Sequence, residues 1–128
     1  MDSKRKKILI VDDERHIRQS FSDYFQDRGW QVFTAESGEA ALELLKTRTC
    51  AVALVDIRMC GMDGEAFIRK ASENLAMFFV VCTGSPEYEI SEDLIRLPCV
   101  ADKVFGKPVI DLNELEDTIN KLLAHESK

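Results

Sequence analysis

Long apolar runs, Pro- or Gly-rich tracts and internal repeats are all missing from this chain of 128 residues. A membrane-spanning helix needs roughly 20 apolar residues. The opening MDSKRKK is followed by only four apolar residues before the first acids, too few for a signal-peptide core. We therefore expect a cytoplasmic protein with no membrane association. Because no linker-like segment divides the chain, we predict a single domain over residues 1–128 with a core of about residues 6–124.

Clusters of cysteine and histidine are also missing. The four cysteines and two histidines are scattered as Cys50, Cys60, Cys82, Cys99, His16 and His125. This spacing lacks the C-x-x-C pairs of a structural zinc site and argues against a disulfide scaffold, so we expect reduced thiols. The formal net charge of −6 disfavours direct binding to nucleic acid, because phosphate contacts depend on a concentrated basic surface.

What the chain does contain is a regular alternation of short apolar runs with helix-like segments. Five runs predict strands: Lys7–Val11, Gln31–Ala35, Ala51–Val55, Phe78–Cys82 and Lys103–Gly106. Several of these runs are almost continuously apolar, which is typical of strands buried on both faces of a sheet.

The segments between the runs have the spacing of amphipathic helices. Apolar stripes recur at helical spacing in two places: Ile17, Phe21, Tyr24 and Phe25, and then Leu112, Leu115, Ile119, Leu122 and Leu123. Gly29 stands where the first of these helices would end. Three further helices are predicted from capping and breaking residues: Ser37 to Lys46, Asp63 to Asn74, and Ser85 or Pro86 to just before Pro98.

Strict alternation of strands and helices predicts the fold class. Parallel strands joined by right-handed crossovers form an α/β sandwich with helices on both faces of the sheet. For five strands we predict the doubly wound, flavodoxin-like order 2-1-3-4-5, with five helices. In such sheets ligands bind outside the carboxyl ends of the strands, near the point where the strand order reverses.

Chemically useful side chains follow four of the five predicted strands. They are Asp12 and Asp13 after the first, Asp56 after the third, Thr83 after the fourth and Lys107 after the fifth. Three neighbouring carboxylates repel one another, and a divalent cation such as Mg²⁺ relieves that repulsion. A nucleophilic carboxylate, a metal, a hydroxyl donor and a fixed cation are together what phosphoryl transfer to an aspartate requires.

The motifs VDDE, VDIRMCGMDG, TG and KP, at this spacing, resemble those of the receiver (CheY-like) domain of bacterial two-component response regulators. The resemblance covers the chain from Lys6 to Leu123. It implies a Mg²⁺-dependent switch in which Asp56 takes a phosphoryl group from a histidine kinase or a histidine phosphotransfer protein. Such a domain catalyses its own phosphorylation and slow dephosphorylation but has no separate substrate, so we do not expect a conventional enzyme.

The resemblance also implies a metal site. Asp13 and Asp56 would ligate Mg²⁺, or Mn²⁺ in its place, directly. The backbone carbonyl of Arg58 would be a third protein ligand, and Asp12 would act through a water molecule. Loss of Asp13 is therefore expected to cost more than loss of Asp12.

Further site roles follow from the same resemblance. Thr83 would hydrogen-bond one phosphoryl oxygen and Lys107 would pair with another. The bond from Lys107 to Pro108 is expected to be cis, which would aim the lysine back into the site. Arg58 and Ser85 lie two residues after Asp56 and Thr83. In the family, residues at these positions modulate the lifetime of the phosphoryl group.

Two positions depart from the family pattern. Val104 stands where receivers usually carry the tyrosine or phenylalanine that moves with the threonine, and strand alternation should point Phe105 to the opposite face. We therefore expect movement of Thr83 to be read out through the backbone or the fourth helix. Cys60 replaces a common proline beside the site, which suggests the hypothesis of redox sensing.

The sequence leaves some alternatives open. An aspartate-nucleophile phosphohydrolase would carry a second aspartate two residues after the nucleophile, where this chain has Arg58. A flavin-binding domain needs a hydroxyl- and glycine-rich phosphate loop, and the acids at 12–14 would repel that phosphate. The expected downstream partner is an effector protein or an output domain of a longer chain, and dimerisation stays open.

Overall fold

Five parallel strands form one sheet in the computed structural model, which describes residues 6–109 and 111–126. The elements in chain order are β1 (Lys7–Val11), α1 (Arg15–Asp27), β2 (Gln31–Ala35), α2 (Gly38–Leu44), β3 (Val52–Asp56), α3 (Gly64–Asn74), β4 (Phe78–Thr83), α4 (Glu92–Ile95), β5 (Val100–Gly106) and α5 (Leu112–Glu126). The strand order is β2-β1-β3-β4-β5. The predicted fold class and strand order are confirmed.

The alternation of side chains along the strands builds an apolar core on each face of the sheet. In β1, Ile8 and Ile10 face one cluster, whereas Leu9 and Val11 face the other. Every residue of β3 is buried. A strand covered on both faces buries nearly every side chain, which is why the runs in β1 and β3 are almost continuously apolar.

The helices pack their predicted stripes on these cores. Phe21 and Phe25 of α1 are buried. The side chain of Ser37 caps α2 by accepting a hydrogen bond from the Ala40 N–H at 3.0 Å, and Asp63 caps α3 in the same way. The second helix ends before the predicted Lys46, because the following amides bond to carbonyls three residues back and tighten the last turn.

The prediction for the fourth helix is wrong at its start. Residues 85–91 are not helical, and α4 comprises only Glu92–Ile95. The preceding segment is bound to α3, since both Tyr88 and Ser91 donate hydrogen bonds to the carboxylate of Glu65. This tertiary attachment replaces the helical turns that the sequence pattern predicts.

Strand boundaries also differ slightly from prediction. The fifth strand begins at Val100 rather than Lys103, and it includes exposed Asp102 and Lys103 because it lies at the edge of the sheet. The third strand begins and ends one residue later than predicted and the fourth extends by one residue, so Asp56 and Thr83 are the last residues of β3 and β4. Within the described ranges, no helix has the length and apolarity to span a bilayer.

Candidate functional site

The carboxyl edge of the sheet brings the predicted site residues to one place. In β1, Val11 pairs with Val55 of β3, so Asp12 and Asp56 follow at the same level of the sheet. In β4, Thr83 pairs with Gly106 of β5, and the Lys107 N–H then donates to the Thr83 carbonyl at 2.9 Å. The edge therefore gathers side chains that are up to 95 positions apart in the sequence.

Three carboxylates form the centre of this site. Oxygen atoms of Asp12, Asp13 and Asp56 all lie within 4.8 Å of one another. Asp12 and Asp56 are 2% and 4% exposed, whereas Asp13 is open to solvent. Two of the three charges are thus largely removed from water while a third stands beside them.

Lys107 lies among these acids. Its Nζ donates to Asp12 Oδ2 at 3.0 Å and to Glu14 Oε1 at 3.3 Å, and it lies 3.4 Å from Asp56 Oδ2. Burial alone would lower the pKa of Lys107, but the hydrogen bond and charge of Asp12, with the charge of Asp56, raise it above its ordinary value. The ammonium therefore stays protonated. The bond from Lys107 to Pro108 is cis.

The electrostatics of Asp56 set it apart from an ordinary surface aspartate. Burial, followed by the charge of Asp12, raises the pKa of Asp56 to about 6, although Lys107 acts in the opposite direction. The positive charge that the protein places beside Asp56 is therefore not enough to offset the burial and the negative charge around it. A cation that enters this cluster is stabilised by the same field that opposes ionisation of Asp56.

The donor set fits Mg²⁺. The carboxylates of Asp12, Glu14 and Asp56 lie within 3.4 Å of the Lys107 ammonium. Asp13 adds a fourth carboxylate beside Asp12 and Asp56, so negative charge is in excess. Carboxylate oxygens in a partly solvated cleft are the ligands that Mg²⁺ prefers, because it keeps several of its own waters. The acidic cluster therefore has the chemistry of the metal site predicted at this edge.

A tight connection after β3 places Arg58 at the mouth of the site. Gly64 begins α3 so close to β3 that a Cβ atom there would lie 2.3 Å from the Asp56 carbonyl oxygen, and only glycine fits. The Gly64 N–H also donates to the Ile57 carbonyl at 3.0 Å. Gly61 adopts a φ of 77° within the same connection, a conformation that favours glycine. The exposed Arg58 projects from this closed loop.

The ends of β4 and β5 carry the remaining predicted site residues, Thr83, Ser85 and Val104. Thr83 is 3% exposed, and its hydroxyl accepts a hydrogen bond from the Ser85 N–H at 3.1 Å. Val104 packs against the core on one face of the sheet and Phe105 is buried in the core on the other. The prediction that Phe105 points away from the face of Val104 is confirmed.

Two adjoining cavities open at this edge. The acceptor cleft, about 430 Å³, is lined by Asp13, Glu14, Asp56, Arg58, Gly84, Ser85 and Lys107. The side cavity, about 520 Å³, is lined by Asp13, Ile57, Arg58, Met59, Cys60, Asp63 and Tyr88. The two cavities share Asp13 and Arg58. Cys60 is exposed on the side cavity, and its redox role stays a prediction.

Sequence reasoning missed two features of this site. It assigned no role to Glu14, which contacts Lys107, or to the attachment of Tyr88 to Glu65. Burial and the hydrogen bond to Glu65 raise the pKa of Tyr88, so its hydroxyl keeps its proton. No local spacing reveals these contacts, because the partners are 93 and 23 positions apart.

Known proteins are similar to this chain in sequence and in architecture. The family model of the response regulator receiver domain matches residues 8–120. Sporulation initiation phosphotransferase F of Bacillus subtilis is 30% identical over 125 residues, which cover 95% of this chain and 97% of that protein. Regulatory protein AtoC of Escherichia coli is 34% identical over 122 residues, which cover 94% of this chain and 26% of that protein.

A solved structure has the same fold. The response regulator TrrA of Thermotoga maritima, determined in complex with Mg²⁺ and BeF, superimposes with a TM-score of 0.75 at 29% identity, covering 91% of this chain and 98% of that one. None of these similarities favours the phosphohydrolase alternative. Receiver domains are regulatory modules rather than conventional enzymes, and response regulators work with kinases and output domains. The chain belongs to the response regulator receiver domain family, the phosphoacceptor switches of two-component signalling.

Proposed function

We propose that Asp56 is the phosphoacceptor of this receiver domain and that the acceptor cleft carries out the transfer. The observation that supports this most directly is the position of the Asp56 carboxylate. It ends the central strand β3, lies within 4.8 Å of two other carboxylates and stands 3.4 Å from the Lys107 ammonium. A carboxylate with a fixed cation and an acidic cation site beside it is arranged for nucleophilic attack on phosphorus.

Asp12, Asp13, Asp56 and the Arg58 carbonyl would hold Mg²⁺, or Mn²⁺ in its place, with Asp12 acting through a water. When bound, the ion offsets negative charge on the carboxylates and on the incoming phosphoryl oxygens. The residues themselves contribute the remainder of the site. They orient the nucleophile, which is 4% exposed, and supply hydrogen-bond donors around it.

In the transfer step, an Asp56 carboxylate oxygen donates an electron pair to phosphorus. The bond from phosphorus to the donor breaks, and its electron pair leaves with the donor group. Lys107 pairs with one phosphoryl oxygen, and Thr83 donates its hydroxyl to another. Arg58 and Ser85 line the acceptor cleft, and we assign to them the control of water access and hence of phosphoryl lifetime.

The change at Asp56 must reach a surface to act as a switch. Thr83 is bound to the Ser85 amide, so movement of the Thr83 hydroxyl toward phosphate releases that amide at the start of residues 85–91. With Val104 in the usual aromatic position, we assign the readout to this segment and to α4.

The expected partners follow from this role. The phosphoryl group comes from a histidine kinase or a histidine phosphotransfer protein, and the switched surface is read by an effector protein or an output domain. We also propose that the chain acts in the cytoplasm and that residues 1–128 form a single receiver domain. It would catalyse its own phosphorylation and slow dephosphorylation.

Intact mass spectrometry tests the assignment. After incubation with acetyl phosphate and Mg²⁺, the wild type should gain the mass of one phosphoryl group. Asp56→Asn, which is isosteric but not nucleophilic, should gain none. An undiminished adduct on Asp56→Asn, or no adduct on the wild type, would overturn the proposal.

A further inference from the structure

Tyr88 is held in place beside the acceptor cleft by a carboxylate from another element. Its hydroxyl donates a hydrogen bond to Glu65 Oε2. Its side chain packs against the apolar core that contains Phe67 and Phe79. The same carboxylate accepts hydrogen bonds from the hydroxyl of Ser91 and, at 3.3 Å, from the Ser91 amide. Tyr88 is therefore anchored through its hydroxyl as well as by packing.

The anchor is built on the backbone that carries the phosphoacceptor. Glu65 directly follows Gly64, the residue whose close contact with the Asp56 carbonyl excludes any side chain. Glu65 is only 16% exposed and is joined to Arg69, one turn along α3, at 3.5 Å. The position of Tyr88 is thus set relative to Asp56 by a short, rigid path rather than by a long loop.

The side cavity offers space beside the acceptor cleft for a departing group. In an in-line displacement, the leaving group lies on the far side of phosphorus from the attacking Asp56 oxygen. The side cavity adjoins the acceptor cleft through Asp13 and Arg58, and its wall includes Tyr88 and Met59. A planar, partly apolar leaving group is suited to this wall, because aromatic rings pack favourably edge-to-face or offset.

We propose that Tyr88, positioned by Glu65, is a specificity-determining residue that favours phosphodonors with an imidazole leaving group. The inference rests on the proposed function of Asp56. As the Asp56 oxygen bonds to phosphorus, the P–N bond of an N-phosphoimidazole breaks and its electron pair goes to nitrogen. The imidazole takes one proton from water and leaves along the ring of Tyr88.

The test compares two small donors that differ in the ring and share the bond that breaks. Phosphoimidazole and phosphoramidate both transfer through a P–N bond, but only the first releases an aromatic group. Rates of Asp56 phosphorylation are measured for both donors with Mg²⁺ by intact mass. The ratio of the phosphoimidazole rate to the phosphoramidate rate is then compared among variants. Tyr88→Leu should lower the ratio about fivefold, since an aromatic contact of this kind is lost.

Further variants separate positioning from general structure. Tyr88→Phe keeps the ring and should retain most of the ratio, whereas Glu65→Ala should lower the ratio by releasing the ring, and Glu65→Gln should restore it in part. Asp93→Asn is the matched control. It weakens the exposed pair between Arg69 and Asp93, which are 2.9 Å apart, without touching Tyr88, and it should leave the ratio unchanged.

The outcomes distinguish this inference from the proposed function. If neither donor phosphorylates the wild type, the role of Asp56 fails and the inference fails with it. If the wild type accepts both donors but Tyr88→Leu slows them equally, or slows neither, the role of Asp56 stands and the inference about Tyr88 is overturned.

Discussion

Lys107 lies closer to Asp12 than to Asp56: its Nζ is 3.0 Å from Asp12 Oδ2 and 3.4 Å from Asp56 Oδ2, with only 10% of the lysine side chain exposed. The ammonium therefore already pairs with a buried carboxylate before any phosphoryl group arrives. In the proposed transfer to Asp56, this cation would be shared with the phosphoryl oxygens, so Lys107 would link the resting and the phosphorylated arrangement of the site.

Replacement of Lys107 should slow phosphorylation strongly. Lys107→Met removes the ammonium while keeping a side chain of similar length, and we expect the rate with acetyl phosphate to fall about 10²-fold, the cost of losing one preorganised charge-stabilising group. Lys107→Arg should recover part of the rate, because its charge is kept but its planar fork differs in shape. Intact mass over time measures both, and a wild-type rate for Lys107→Met would contradict the role.

The members of the acidic cluster should differ in how much each contributes to the affinity for Mg²⁺. We expect Asp12→Asn to weaken binding about tenfold, as loss of an outer contact does, and Asp13→Asn to weaken it more, because Asp13 is assigned as a direct ligand. Calorimetric titration of Mg²⁺ in the absence of a phosphodonor measures this. Equal weakening by the two variants, or a stronger effect of Asp12→Asn, would contradict the ligand assignment.

Gly64 should be among the least replaceable residues near the site. A methyl group there would lie 2.3 Å from the Asp56 carbonyl oxygen, against backbone that cannot move aside easily. We expect Gly64→Ala to lower the free energy of unfolding by about 3 kcal/mol, the upper part of the usual range for overpacking. Gly106→Ala is the control, since a Cβ atom added at Gly106 would meet nothing within 4 Å. Urea denaturation compares the two, and equal stability would refute the steric argument.

A buried carboxylate far from the cleft should make stability depend on pH. Glu116 of α5 accepts hydrogen bonds from Trp30 Nε1 at 3.0 Å, Arg28 Nε at 2.8 Å and the Tyr24 hydroxyl at 3.2 Å. Burial alone would raise the pKa of Glu116, but the hydrogen bonds from Trp30 and Arg28 outweigh burial and lower the pKa below its ordinary value. The folded state therefore binds this proton less readily than the unfolded state does.

The sign of the effect follows from that difference. The contribution of Glu116 to the free energy of unfolding is fully present above the ordinary carboxyl pKa. It is lost as the pH falls through the lowered pKa that Glu116 has in the folded state. We expect Glu116→Gln to cost about 2 kcal/mol at neutral pH and to reduce the loss of stability between neutral pH and about pH 3. Urea denaturation across this range measures it. An unchanged pH slope in Glu116→Gln would contradict the assignment.

Phosphorylation should leave Phe105 in place. Its ring is buried in the core on the face opposite Val104, and Lys103 Nζ lies 5.2 Å from the ring centroid. We expect structures with and without a phosphoryl mimic to differ at Thr83 and in residues 85–95, with the same Phe105 rotamer in both. An inward swing of Phe105 together with Thr83 would show that the aromatic residue is used after all.

Much of the fold was predictable because it depends on local periodicity. The runs at Lys7–Val11 and Gln31–Ala35 match β1 and β2 in both bounds. Asp63 was recognised as the cap of α3 because a capping aspartate bonds to an amide only three residues away. The fourth helix was not predictable in this way, since Glu65 holds residues 85–91 from outside the segment.

By itself, the sequence determined the alternation of strands and helices and, through it, the convergence of Asp12, Asp56 and Lys107. Parallel strands joined by crossovers all end at one edge, so residues that follow the strands must meet there. Only the tertiary structure decided which of them touch. The pairing of Lys107 with Asp12 and Glu14, and the attachment of Tyr88 to Glu65, depend on packing between elements distant in the chain. The physical reason is that hydrophobic periodicity indicates only which face of a helix or strand is buried. Contacts between polar side chains depend on distances between elements, and these exist only in the folded chain.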